Sequence, residues 1–109
     1  MAYDEGVAQR VREIMAGISV VTEKKMFGGI AFMVDGNMCV GIVKDQLMLR
    51  VGPDQYDVLL KKDFVLKMDF TGKPMRGFVY IQPEGFAEDK ELQQWIDMAL
   101  SFVHTLPPK

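Results

Sequence analysis

From Asp4 to Gly17 the apolar residues Val7, Val11, Ile14 and Met15, with Ile18 just beyond, recur at helical spacing behind an acidic start and before a glycine. This spacing predicts a first helix. Val20 to Phe27 is β-branched at its start, and Gly28-Gly29 interrupts the chain before the apolar run Ile30 to Val34, which predicts two strands around a glycine bend. Asp35-Gly36-Asn37 is a hairpin signal, since these residue types tolerate the positive φ of a tight turn. Met38 to Val43 and Gln46 to Val51 follow as strands across the weaker turn Lys44-Asp45, so residues 30–51 read as a three-stranded antiparallel meander.

Gly52-Pro53-Asp54 opens a short helix carrying Tyr56, Leu59 and Leu60 and ending around Lys61 to Asp63. Phe64 to Phe70 is ambiguous, Thr71-Gly72-Lys73-Pro74 reads as a turn, and Arg76 to Gln82 alternates as a strand until Pro83-Glu84-Gly85. Asp89 is the expected N-cap of a last helix, whose stripe Leu92, Trp95, Ile96, Ala99, Leu100 and Val103 continues until Pro107-Pro108. The fold class is therefore α+β: a small antiparallel sheet, made of a central three-stranded meander and flanking strands, with N-terminal, middle and C-terminal helices. Residues 1–109 are expected to form one domain, with no linker, repeat or low-complexity segment.

Strand parity carries the reading further. A two-residue loop, whether centred on Asp35-Gly36 or on Gly36-Asn37, places Ala31, Met33, Met38, Val40, Ile42, Leu47, Leu49 and Val51 on one wholly apolar face. The opposite face then holds Ile30, Phe32, Val34, Cys39, Gly41, Val43, Gln46, Met48 and Arg50. Three helices ordinarily cover one face of so small a sheet, so the second face is expected to be partly covered by the rest of the chain or buried against another molecule. Burial of Ile30, Phe32, Val34, Val43 and Met48 in a two-fold contact makes a homodimer the expected assembly.

Composition changes this picture in two places. Apolar residues make up 49% of the chain and charged residues 26%, enough to bury a core, and nine methionines suit either flexible packing or a surface that moulds to a partner. Most of them fall within apolar runs, which favours packing. The net charge of -2 gives the whole molecule no attraction for a phosphate backbone, so strong direct nucleic-acid binding is not expected. No apolar run approaches the ~20 residues that cross a bilayer, and Asp4 and Glu5 stand where a signal peptide would be basic and then greasy. The expectation is a cytoplasmic protein without membrane contact. A single cysteine, Cys39, agrees with a reducing compartment.

Enzymatic motifs fail on counting. One His and one Cys exclude HExxH and cysteine zinc sets, no GxGxxG follows a strand, and Gly72-Lys73 lacks both the first glycine and the hydroxyl of a phosphate loop. Asp97, Ser101 and His104 share one side of the last helix, but one rigid helix cannot present a nucleophile to a facing oxyanion hole. The chain is thus expected not to be an enzyme and to need no cofactor or metal. Cys39, flanked by Met38 and Val40, reads as an inert thiol. Lys24-Lys25 and Lys61-Lys62, with Lys73 and Arg76, would form a basic patch only if the fold gathers them, because neighbours on a strand point to opposite faces. Arg50 ends the apolar strand Leu47-Met48-Leu49-Arg50-Val51 and needs a partner if enclosed: a carboxylate such as Asp54 or Asp69 is the first reading, anion or partner binding the other.

In order along the chain, Lys25-Met26-Phe27-Gly28-Gly29 with Phe32, Gly36-Asn37-Met38 and Leu47-Met48-Leu49-Arg50-Val51-Gly52-Pro53 stand out, then Phe70-Thr71-Gly72-Lys73-Pro74-Met75 and Gly77-Phe78-Val79-Tyr80. Trp95 with Ala99, and Leu106-Pro107-Pro108-Lys109, complete a set that resembles the N-terminal domain of the TfoX/Sxy family of bacterial competence regulators. The resemblance implies a small α/β domain with an antiparallel sheet and no known enzymatic reaction, found alone or ahead of a C-terminal domain in regulators of competence-gene transcription. The chain is expected to be that domain alone. Its expected role is a non-enzymatic interaction module of a regulatory kind, with a protein partner that the sequence does not identify. The candidate interaction residues are Lys25, Phe27, Phe32, Met48, Arg50, Lys73 and Arg76. The alternative is a small-ligand or nucleic-acid-binding domain that uses a local basic patch.

Overall fold

The computed structural model describes residues 3–17, 21–26, 28–68 and 76–108. Helix α1 (Glu5–Met15) begins where the Asp4 carboxylate accepts the backbone N–H groups of Gly6 and Val7 at 2.8 and 3.2 Å, satisfying donors that a helix start otherwise leaves open. Strands β1 (Val21–Met26), β2 (Gly29–Val34), β3 (Asn37–Val43) and β4 (Gln46–Arg50) follow. Helix α2 (Pro53–Leu59), β5 (Val65–Lys67), β6 (Phe78–Ile81), a 3₁₀ turn over Pro83–Phe86 and helix α3 (Asp89–Val103) complete the chain. The sheet has six strands in the order β1-β2-β3-β4-β6-β5, with every named pair antiparallel. The expected α+β class, the central meander and all three helices are present.

Three local expectations are corrected or completed. Helix α3 is capped by Glu88, not Asp89: the Glu91 carboxylate accepts the Glu88 N–H at 3.0 Å in a capping box. Asp89 sits one position later and pairs with Arg10, its Oδ1 lying 3.1 Å from Nε. The ambiguous stretch after Phe64 contributes the short strand β5, and the residues around Pro83 wind into a 3₁₀ turn rather than simply ending a strand. Arg10 also donates to the Phe86 and Ala87 carbonyls at 2.8 and 3.3 Å, so α1 holds that turn in place.

The largest correction concerns the faces of the sheet. Asp35 and Gly36 form the two-residue turn with φ of 52° and 82°, and Val34 pairs with Asn37 and Met33 with Met38, as the hairpin signal implies. The next pair is then Phe32 with Val40, so Cys39 is one extra residue on β3, a β-bulge. One inserted residue reverses the parity of everything beyond it. Ile30 and Phe32 therefore stand on the same face as Val40, Ile42, Leu47 and Leu49.

That face is the core. It packs against Val7, Ala8, Val11 and Met15 of α1, Tyr56 and Leu59 of α2, Phe86, and Leu92, Ile96, Ala99 and Val103 of α3. Ile30, Phe32 and Val34, on which the homodimer expectation rested, are 5%, 1% and 1% exposed inside it. The other face carries Ala31, Met48 and Met68, all buried, with Met33, Met38, Phe78 and Tyr80 partly buried around them. The methionines divide accordingly: Met15 lies in the helix-covered core, and Met33, Met38, Met48 and Met68 gather on the second face.

Candidate functional site, a guanidinium cleft at the end of β4

Arg50 is the last residue of β4, paired across the sheet with Phe78 of β6. Its guanidinium lies 5.4 Å from the centre of the Phe78 ring and 5.8 Å from that of Phe102 on α3. Among the described residues no carboxylate forms an ion pair with it: Asp54 does not, and Asp69 lies outside the described residues. The partner that the strand-end position called for is thus a pair of aromatic faces, whose negative quadrupoles attract a cation while leaving its N–H fork open to an acceptor.

Backbone geometry beside Arg50 fixes the shape of the site. The N–H groups of Val51 and Gly52 both donate to the Gly77 carbonyl, at 2.8 and 3.1 Å, tying the exit of β4 to the entry of β6. Gly52 has φ of 85°, and a Cβ there would meet the Phe102 ring at 2.4 Å, so only glycine lets that ring close down on the backbone. Arg76, just before β6, stacks over the Tyr56 ring at 5.4 Å and pairs with Asp57 at 3.1 Å. Arg50, Gly52, Pro53, Arg76, Gly77, Phe78 and Phe102 together enclose a cleft of about 110 Å³. Phe102 also borders a larger groove of about 530 Å³ between α2 and α3, lined by Val51, Asp54, Gln55, Gln94, Asp97, Met98 and Ser101.

Of the sequence candidates, the structure brings Arg50 and Arg76 together. Phe32 and Met48 are each 1% exposed, so neither is available to a partner at the surface. Lys25 lies exposed on the edge strand β1, four strand spacings from β6, roughly 19 Å at ~4.8 Å each, and cannot join Arg76 in one patch. Phe27 and Lys73, with the turn Thr71 to Pro74, lie outside the described residues. Phe78, within the segment Gly77-Phe78-Val79-Tyr80, and Phe102 were not among the candidate interaction residues; Phe102 follows Trp95 and Ala99 at i+7 and i+3 along the edge of the apolar stripe of α3 and packs partly against the core, so the helical pattern reads it as packing.

The remaining candidates are not gathered into one constellation. Asp97 and Ser101 line the groove but His104, the C-cap residue of α3, does not, and Asp97 accepts a hydrogen bond from Gln93 Nε2 at 2.8 Å. Cys39 is fully buried, and burial pushes its thiol from 9.0 up to about 12, with the charge of Arg50 opposing only in part. Because the folded pKa is the higher one, the bulge is neutral below pH ~9 and loses stability as pH rises from ~9 towards about 12. Cys39 is expected to resist alkylation by iodoacetamide at neutral pH and to react fully once urea unfolds the chain. Rapid native labelling, followed by mass spectrometry, would show that the bulge exposes the thiol.

Among the described residues no helix is long and apolar enough to cross a membrane, and no group of three or more potential metal ligands occurs. Residues 13–103 match the family model for the TfoX N-terminal domain. The chain belongs to that family. The TfoX N-terminal domain family is associated with competence regulation, and the match spans every strand and helix described above except α1, of which it takes in only the last turn. No curated protein matches the chain in sequence.

Proposed function

We propose that this TfoX N-terminal domain is a non-enzymatic, cytoplasmic interaction module with a regulatory role of the kind associated with its family, and that it binds through the Arg50 cleft. The observation that carries this reading is the setting of Arg50, a permanently charged group held between two aromatic rings at the mouth of a cleft. A guanidinium keeps its charge and does not exchange protons during a reaction, so such a site serves recognition rather than acid–base chemistry. The buried, high-pKa Cys39 and the separation of His104 from the groove support the same conclusion.

The test is affinity capture from the native cell extract with wild-type protein and with Arg50→Gln in parallel. The expected result is a partner retained by wild type and lost by the variant, with both proteins folded. Equal capture by both would place binding elsewhere. Turnover of a generic ester, phosphate or nicotinamide substrate that copurifies with the protein and disappears in Arg50→Gln would overturn the non-enzymatic reading.

A further inference from the structure

Arg50, Phe78 and Phe102 are each half-buried and line the cleft of about 110 Å³. A pocket that encloses a whole small molecule is ordinarily about 300–1,000 Å³, so this cleft suits a single end group of something larger. Its charge is that of one cation. Arg76, which also lines it, is already paired with Asp57, and among the described residues no carboxylate pairs with Arg50, so Arg50 and Arg76 against Asp57 leave one net positive charge. Phosphate dianions are ordinarily met by clusters of arginines, whereas one unshared guanidinium matches one carboxylate. The backbone adds little, because the Val51 and Gly52 N–H groups are spent on the Gly77 carbonyl and neither can join the nest of amides that captures a chain terminus. What the cleft offers is a planar fork of N–H donors beside two aromatic rings. That fits a carboxylate that accepts from the fork while its methylene stem lies against Phe78 and Phe102.

We propose that the cleft takes the side-chain carboxylate of one glutamate or aspartate of a protein partner, held by Arg50 as the anchor of the interaction. A buried arginine flanked by aromatic residues is the kind of group that carries a large share of the binding energy at protein interfaces. The chain's net charge of -2 limits the partner to one acidic side chain in a segment that is otherwise neutral or basic, since a run of acids would meet net repulsion. This inference rests on the binding role proposed above and names the chemistry of the partner. It is tested on the purified chain with small probes alone, so its failure and the failure of partner capture are separately visible.

The experiment is a two-dimensional NMR titration of the labelled chain, at constant ionic strength, with glutamate capped as its N-acetyl amide. Capped glutamine is the neutral isostere, and capped phosphoserine is the dianionic competitor. The expected result is saturable movement of the Gly52 and Gly77 amides and of the Arg50 Nε–H with capped glutamate, and none with capped glutamine. Arg50→Gln should weaken binding by about tenfold or more, the usual loss for one charge-assisted hydrogen bond. Arg50→Lys, which keeps the charge and loses the fork, should weaken it to a smaller degree. Amides of Ile42 and Leu49, in the core, report whether the variants remain folded; if Arg50→Gln unfolds, the comparison of glutamate with glutamine on the wild-type chain decides alone. Absence of saturable shifts with capped glutamate, equal shifts with capped glutamine, tighter binding of capped phosphoserine, or indifference of a folded Arg50→Gln would each overturn the proposal. If glutamate fails while Arg50→Gln still loses its captured partner, the cleft is the binding site and the carboxylate assignment is wrong.

Discussion

Phe32→Glu is expected to leave no folded protein, and Phe32→Ala to cost about 3–5 kcal/mol. Phe32 is 1% exposed and stands opposite Val40 on the sheet face that the helices cover, so no path lets a side chain there reach water. A domain of ordinary stability has only about 5–15 kcal/mol in total, and an unpaired carboxylate in this core adds its desolvation to the lost packing. Val58→Glu is the control: Val58 is 56% exposed on α2, where a surface substitution typically moves stability by no more than ~0.5 kcal/mol. Urea unfolding followed by Trp95 fluorescence reads all three variants, because the indole N–H of Trp95 donates to the Gly85 carbonyl at 2.9 Å only in the folded chain. A soluble, folded Phe32→Glu monomer would place Phe32 on the outer face and remove the bulge at Cys39.

The same bulge marks the limit of what the sequence discloses. The Asp35-Gly36 turn was legible because positive φ selects its residue types, and α1 and α3 because their apolar positions recur with the helical period. A bulge leaves no such mark: β2 and β3 are apolar on both faces, so Ile30, Phe32 and Val34 satisfy either parity equally well. Only the register of Phe32 with Val40 distinguishes an outer face from the core. The cleft was half legible for a related reason. Arg50 announced itself as a charge ending an apolar strand, but its neighbours Phe78 and Phe102 arrive from β6 and α3, 28 and 52 residues away, through contacts that no local pattern encodes. Asp54 was the nearer carboxylate in sequence, yet it faces the groove beyond Phe102.

Gly29→Ala is expected to destabilise the fold by about 3 kcal/mol or more, at or beyond the upper end of ordinary overpacking, while Gly28→Ala costs only about 1 kcal/mol. The two glycines are neighbours with different obligations. Gly28 has φ of 72°, which penalises an L side chain, but a Cβ there meets nothing within 4 Å, so the cost is conformational alone. At Gly29 a Cβ would stand 2.0 Å from the Ile42 carbonyl oxygen and 3.2 Å from the Val43 Cα, both on the backbone of β3, which cannot rotate aside as a side chain can. Relief requires β2 to move away from β3 where Ile30 pairs with Ile42, in the sheet that carries the core. Thermal unfolding of the two single variants measures the difference. A ranking in which Gly29→Ala is clearly the more harmful assigns the glycine pair to architecture. If both variants keep wild-type stability but lose partner capture, the glycine bend belongs to the binding surface.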